Sequence, residues 1–165
     1  DSSREEALSV AASISGTRNR LSAFLNLKEE LRIQADRLTR KRESMGDVAS
    51  PTMEHGRSFR AAGDEAMCRR VAEIDEIAER VEHLEAAAKT EGDILERAMS
   101  SLRVAEQREV LILRYIDGMD WDSVVFCKYG GRTDYLAREE EYRQSVYSLH
   151  NRAIASLATA IARVA

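Results

Sequence analysis

Apolar residues along this chain recur at spacings of three and four, the signature of a helix face. In the first third, Leu21, Phe24, Leu31, Ala35, Leu38 and Met45 follow that spacing, with Lys28 and Arg42 as polar interruptions. Met67, Val71, Ile74, Ala78 and Val81 repeat it, and Leu84, Ala88, Leu95, Ala98 and Leu102 continue it after a register shift. These are heptad-like seams, suited to two long helices that cover each other's apolar stripes. Ahead of them, Ser2 or Ser3 is placed to cap a short helix, with Glu5 and Glu6 as capping-box partners and Gly16 as its end. Thr17 then opens the first long segment. Between the seams, residues 46–63 hold the only proline and lack a period, which predicts a loop. Asp64 opens the second run, and Gly92 within it is a candidate kink, costing about 1 kcal/mol relative to alanine.

The pattern changes at REVLILRYIDGMDW, residues 108–121. Val110, Leu111, Leu113, Tyr115 and Ile116 make a compact helix that Gly118 stops by supplying a left-handed residue. Asp120 is placed to cap the next helix, and Met119 with Val124 has the positions of a hydrophobic staple. A turn specified from both sides sets an angle between two short helices. Val146, Leu149, Ala153, Ile154, Leu157, Ile161 and Val164 then form an unbroken apolar face on a last helix. Periodicity alone supports any small helical bundle, and a helix-turn-helix domain is one of them.

Composition agrees with helix: one proline, few aromatics and 33% charged residues. No apolar run is long enough to span a bilayer. The opening DSSREEALSVAAS is acidic where a secretory leader is basic, so no leader is expected and the protein is read as cytoplasmic. Cys68 and Cys127 read as reduced thiols rather than a disulfide framework. His55, His83 and His150 share no metal-ligand spacing with them, and His150 reads as a packed residue. No metal and no cofactor are expected, and the missing phosphate loop, nucleophile elbow and ligand cluster argue against an enzyme.

The net charge of −4 is unevenly spread. Residues 1–45 carry nine basic and seven acidic groups, residues 64–102 five and eleven, and residues 103–165 nine of each. Overall acidity disfavours indiscriminate nucleic-acid binding but allows one locally basic surface. The cluster Arg37, Arg40, Lys41 and Arg42 near the end of the first long helix is accounted for by the helix dipole, with a nucleic-acid or partner contact as the alternative.

The stretch Val110-Leu111-Ile112-Leu113-Arg114-Tyr115-Ile116-Asp117-Gly118, with Trp121 and Val124-Val125, followed by Val146-Tyr147-Ser148-Leu149-His150, Ala153-Ile154 and Leu157, resembles the region-4 helix-turn-helix of sigma-70-type factors. It is still more similar to the sigma-region-4-like regulators of phages and prophages, the RinA and ArpU class. The resemblance covers residues 103–160, and the leading helices only in general character. The heptad-like seams predict an all-α protein with a long antiparallel helical hairpin (coiled-coil-like) over 1–102, its loop at 46–63, and the resemblance implies a C-terminal helix-turn-helix domain over 103–165. It departs from the family at about 127–142, where an insertion replaces a short turn. Gly130-Gly131 marks a turn there, and Thr133 or Asp134 is placed to cap a helix running directly into Val146. That extension adds about three turns to the last helix, including Glu139-Glu140-Glu141.

The function so implied is DNA-binding transcriptional regulation of phage or prophage type, with the last helix in the major groove of double-stranded DNA. Its polar face offers Arg143, Gln144, Ser145, Tyr147, Ser148, Asn151 and Arg152, with Arg138 as a backbone contact. Arg pairs bidentately with guanine, Gln and Asn with adenine, while Ser and Tyr reach phosphates. The hairpin is then left to contact RNA polymerase or a second protomer as a homodimer. The alternative is a non-enzymatic protein-interaction adaptor whose helix-turn-helix no longer binds DNA. The two readings differ in one feature. A positive strip of Arg138, Arg143 and Arg152 with the glutamates turned away favours DNA, and glutamates screening that strip favour the adaptor.

Overall fold

The computed structural model describes residues 1–47 and 57–164. They are all-helical, 88% helix, with no strand among the described residues. The helices are α1 (Ser2–Asp47), α2 (Arg57–Ser100), α3 (Ala105–Leu111), α4 (Trp121–Tyr129) and α5 (Glu139–Val164), and a wide π-type turn (Ile112–Ile116) extends α3. No described helix is long and apolar enough to cross a membrane.

The expected break at Gly16 does not occur, and α1 runs through it without interruption. A mid-helix glycine costs only about 1 kcal/mol, which neighbouring helical residues offset. Thr17, expected to open a new helix, is buried and donates its hydroxyl to the Ser13 carbonyl at 2.9 Å inside the same one. The expected loop at 46–63 is also shorter than its lack of period suggests. Gly46 is still in α1 and α2 begins at Arg57, so residues 57–63 are helical, while Pro51 and His55 lie outside the described residues. Because α1 extends to Asp47, its last turn holds no basic residue.

Two compact units are built from these helices. One comprises residues 26–89. Its core is Leu38, Ile77 and Val81, with Leu31, Ile74 and Ala78 packed against it. Glu30 meets Arg80 at 3.3 Å, and Glu73 meets Lys41 at 3.0 Å and Arg37 at 3.4 Å, so α1 and α2 run antiparallel here. Met67 and Val71, the first positions of the second seam, are 39% and 42% exposed.

The other unit comprises residues 1–25 with 90–165. Leu21 and Phe24 of α1 and Leu95, Ala98, Met99 and Leu102 join Val110, Leu111, Val124 and Val125 around the apolar face of α5. Gly92 lies inside the uninterrupted helix α2. It makes room for an aromatic ring, since a Cβ there would lie 3.3 Å from the Cζ of Phe24. Arg20 and Glu91 clasp alongside, with N to O distances of 2.5 and 3.1 Å.

Gly118 has φ 71°, the left-handed conformation its position requires. Before it, the Asp117 amide bonds to the Ile112 carbonyl at 2.9 Å, and the Met119 amide reaches back to Leu113 at 3.0 Å. Both reaches are one residue longer than an ordinary glycine-terminated end, which is why the turn is wide. Asp120 then caps α4, its carboxylate accepting the Ser123 amide at 2.7 Å. The last helix starts later than expected. Residues 130–138 are successive turns, closed by Tyr135 N–H to Arg132 at 3.2 Å and Arg138 N–H to Asp134 at 3.0 Å, and α5 begins only at Glu139. Tyr135 is buried by this path, edge-on to Phe126 and stacked on Tyr142.

Candidate nucleic-acid interface

The proposed reading residues all lie on α5 or in the turn before it, and α3 and α4 pack against α5 to hold it. Seven of the eight are on α5, but they do not form one continuous polar face. Tyr147 is half-buried, its ring edge-on to Trp121 at 5.3 Å between centroids. Trp121 also meets the His150 ring edge-on at 4.7 Å, while the Arg114 guanidinium covers the indole at 4.9 Å. The tryptophan of the motif is thus a packing hub joining the start of α4 to the middle of α5.

The two arginines expected at the start of the reading helix are engaged by carboxylates. Arg138 donates twice to Glu141, at 2.8 and 2.6 Å, and once to Asp134 at 3.4 Å. Arg143 bonds to Asp122 of α4 and lies 3.3 Å from Glu139 and 3.5 Å from Glu140. Both guanidiniums hold their protons more tightly as a result, chiefly through the hydrogen bonds to Glu141 and Asp122. The glutamates of the first turn therefore sit against the arginines rather than away from them. The Asp134 carboxyl, which accepts the Tyr142 hydroxyl at 2.7 Å, is held below the usual carboxylate range by that bond.

Further along, Gln144, Ser148 and Arg152 stand four residues apart on one exposed stripe, with Ser145 beside it. Together with Glu106 and Tyr129 they line a shallow depression. Gln144 donates to Glu140 at 3.0 Å and Ser145 to the Glu141 carbonyl at 3.0 Å. Arg152 Nε reaches only the Ser148 carbonyl, at 3.4 Å, and makes no ion pair among the described residues. Asn151 lies off this stripe, and its side-chain oxygen accepts from Arg18 of α1 at 2.9 Å.

His150 is buried, as its place in the motif suggests. Its Nε2 shares a 2.7 Å hydrogen bond with the Tyr115 hydroxyl. Burial, aided by the charges of Arg18 and Arg114, lowers its pKa to about 4. Burial likewise raises that of Tyr115, so the pair is neutral near pH 7.

Sequence reasoning missed Asp122 and Arg18. Each acts on an α5 residue across a large sequence separation, and no local pattern marks such a pairing. Among the described residues no group of acidic, histidine or cysteine side chains is arranged to hold a metal. Compared with family models, curated proteins and solved structures, the chain matches none of them.

Proposed function

We propose that the chain is a non-enzymatic transcription regulator of phage or prophage type, whose α3 to α5 act as a helix-turn-helix on double-stranded DNA. In this reading α4 crosses the backbone and α5 enters the major groove, while α1 and α2 form a hairpin that contacts RNA polymerase or a second protomer. The observation that carries it is the exposed stripe Gln144, Ser148 and Arg152, in which Arg152 lacks a carboxylate partner among the described residues. An unpaired guanidinium suits guanine or phosphate, and glutamine suits adenine. Docking then uses the middle of α5 and leaves its first turn, with Glu139 to Glu141, beyond the groove edge. Arg138 and Arg143 fix the insertion and the start of α5 instead of reading bases.

A second reading is favoured by the clasp of Asp122, Glu139 and Glu140 around Arg143. Carboxylates at the head of a reading helix repel phosphates, and a domain built so would serve as a protein-interaction adaptor. Exposed ion pairs contribute little, however, and a phosphate competes with them readily.

Selection from a random double-stranded DNA library, at low and physiological salt, separates the two. The expected outcome is enrichment of a sequence by the wild type, weakening with salt, and loss of that enrichment in Arg152→Glu with unchanged helicity. A folded wild type that enriches no sequence even at low salt sinks the DNA reading and leaves the adaptor.

A further inference from the structure

Unit 26–89 carries a concentration of positive charge that the helix dipole does not explain. The dipole acts within a helix's last turn, and Arg37 and Lys41 lie about 15 Å and 9 Å short of Asp47 at the helical rise. The last turn of α1 has no basic residue at all. Arg37, Arg40, Lys41 and Ser44 line one shallow depression. Lys41 and Ser44 also line a second, which Arg70 and Glu73 of α2 complete. Cations from both helices therefore converge on adjoining ground.

Among the described residues the nearby acids do not neutralise it. Glu73 is shared between Lys41 at 3.0 Å and Arg37 at 3.4 Å, and hydrogen bonding to Lys41 holds its carboxyl below the usual range. Arg40 and Arg70 are exposed and make no ion pair among the described residues. Arg42 adds a further exposed cation; of the carboxylates on this part of α1, Asp36 is paired with Arg32 at 2.9 Å and Glu43 is exposed. An arrangement in which one carboxylate serves two cations, with guanidiniums on either side that pair with no described carboxylate, keeps a positive surface on an otherwise acidic chain. The Ser44 hydroxyl, which donates to the Lys41 carbonyl at 2.9 Å, lies in both depressions. Guanidinium, ammonium and hydroxyl together are the set that contacts phosphate oxygens.

We infer that the surface of Arg37, Arg40, Lys41, Ser44 and Arg70 binds the phosphate backbone of duplex nucleic acid without regard to sequence. The inference does not depend on α5 reading DNA, because it concerns a different unit and a contact that carries no sequence information. Backbone binding of this kind is driven by counterion release, so each lost contact lowers the salt dependence by a predictable amount.

The test is fluorescence anisotropy with a labelled 30-bp duplex of arbitrary sequence, measured over a salt series with the full chain (the duplex length exceeds the span of the patch at about 3.4 Å per base pair). Arg40→Gln/Arg70→Gln should weaken low-salt binding by about tenfold and flatten the slope of log affinity against log salt by about 1.8, two phosphate contacts' worth. Circular dichroism confirms that these surface changes leave the helices intact. Arg152→Glu, measured alongside, should leave most of this sequence-independent binding in place. Affinity and slope unchanged in the double variant overturn the assignment. Lack of duplex binding by the wild type also overturns it and turns the patch toward an acidic protein surface. A wild type that enriches no sequence in the library while this binding is intact would count against the α5 reading alone.

Discussion

His150 shows how one side chain of the motif binds the third unit of local structure to the other two. It lies on α5, shares a hydrogen bond with Tyr115 of the wide turn and packs on Trp121 at the start of α4. A proton on it would place a buried cation beside the like charges of Arg18 and Arg114. Its pKa falls from 6.5 to about 4 in the fold, so the unfolded chain binds the extra proton first. Stability from this group is full above pH 6.5 and is lost as the pH falls toward 4. Thermal melts should show about 1–2 kcal/mol of stability lost between pH 7 and 5 on account of this residue. His150→Gln retains an acceptor for the Tyr115 hydroxyl and should show a smaller loss over the same range. Parallel pH profiles for the two chains would rule this account out.

Elements here are bounded by a few residues whose conformations leave little choice. Gly118 is in the left-handed region, where a side chain is strained, and Gly118→Ala should lower stability in urea by about 1–2 kcal/mol. Asp120→Ala removes the acceptor of the Ser123 amide and should destabilise the same turn, with Asp120→Asn restoring most of the loss. An Asp120→Asn variant as damaged as the alanine variant would mean that charge, rather than the cap bond, sets the turn. Elsewhere the boundaries follow packing. Gly16 and Gly92 both read as places to stop or bend a helix, yet α1 and α2 pass through them, because a glycine's helical penalty is small beside that of interrupting a long helix. The turns of 130–138 show the converse. Their residues permit a helix, but the chain instead closes successive turns, with Tyr135 packed against Phe126 and Tyr142.

At the scale of the whole molecule, residues at the two ends of the sequence share one core. Leu21 and Phe24 are buried in the same cluster as Val110, Val124, Val146 and Leu157, although more than half the chain separates them. The stability of α5 should therefore depend on α1. Leu21→Ala, at a fully buried position, should cost about 3 kcal/mol and speed amide exchange in α5 from Val146 to Leu157. Exchange that quickens only within α1 would mean that α3 to α5 fold independently of it.

Local patterning was enough to specify the all-helical class, the apolar face of α5 as far as Ile161, part of that of α2, the stop at Gly118 and the cap at Asp120, while Met67, Val71 and Val164 are exposed. Each rests on interactions within a few residues, where periodicity and backbone geometry act directly. The candidate interface was legible only as a set of residue types on α5. Which of them face solvent was not, because Arg143 is claimed by Asp122, Asn151 by Arg18 and Tyr147 by Trp121, contacts set by how helices pack. The basic cluster on α1 was visible as a run of cations, but its meaning waited on where the helix ends and on the arrival of Arg70 from α2. Sequence period determines which face of a helix is apolar, since that depends on 3.6 residues per turn. Tertiary structure alone decides which charges meet, since Coulombic and hydrogen-bonded partners are chosen by distance in space.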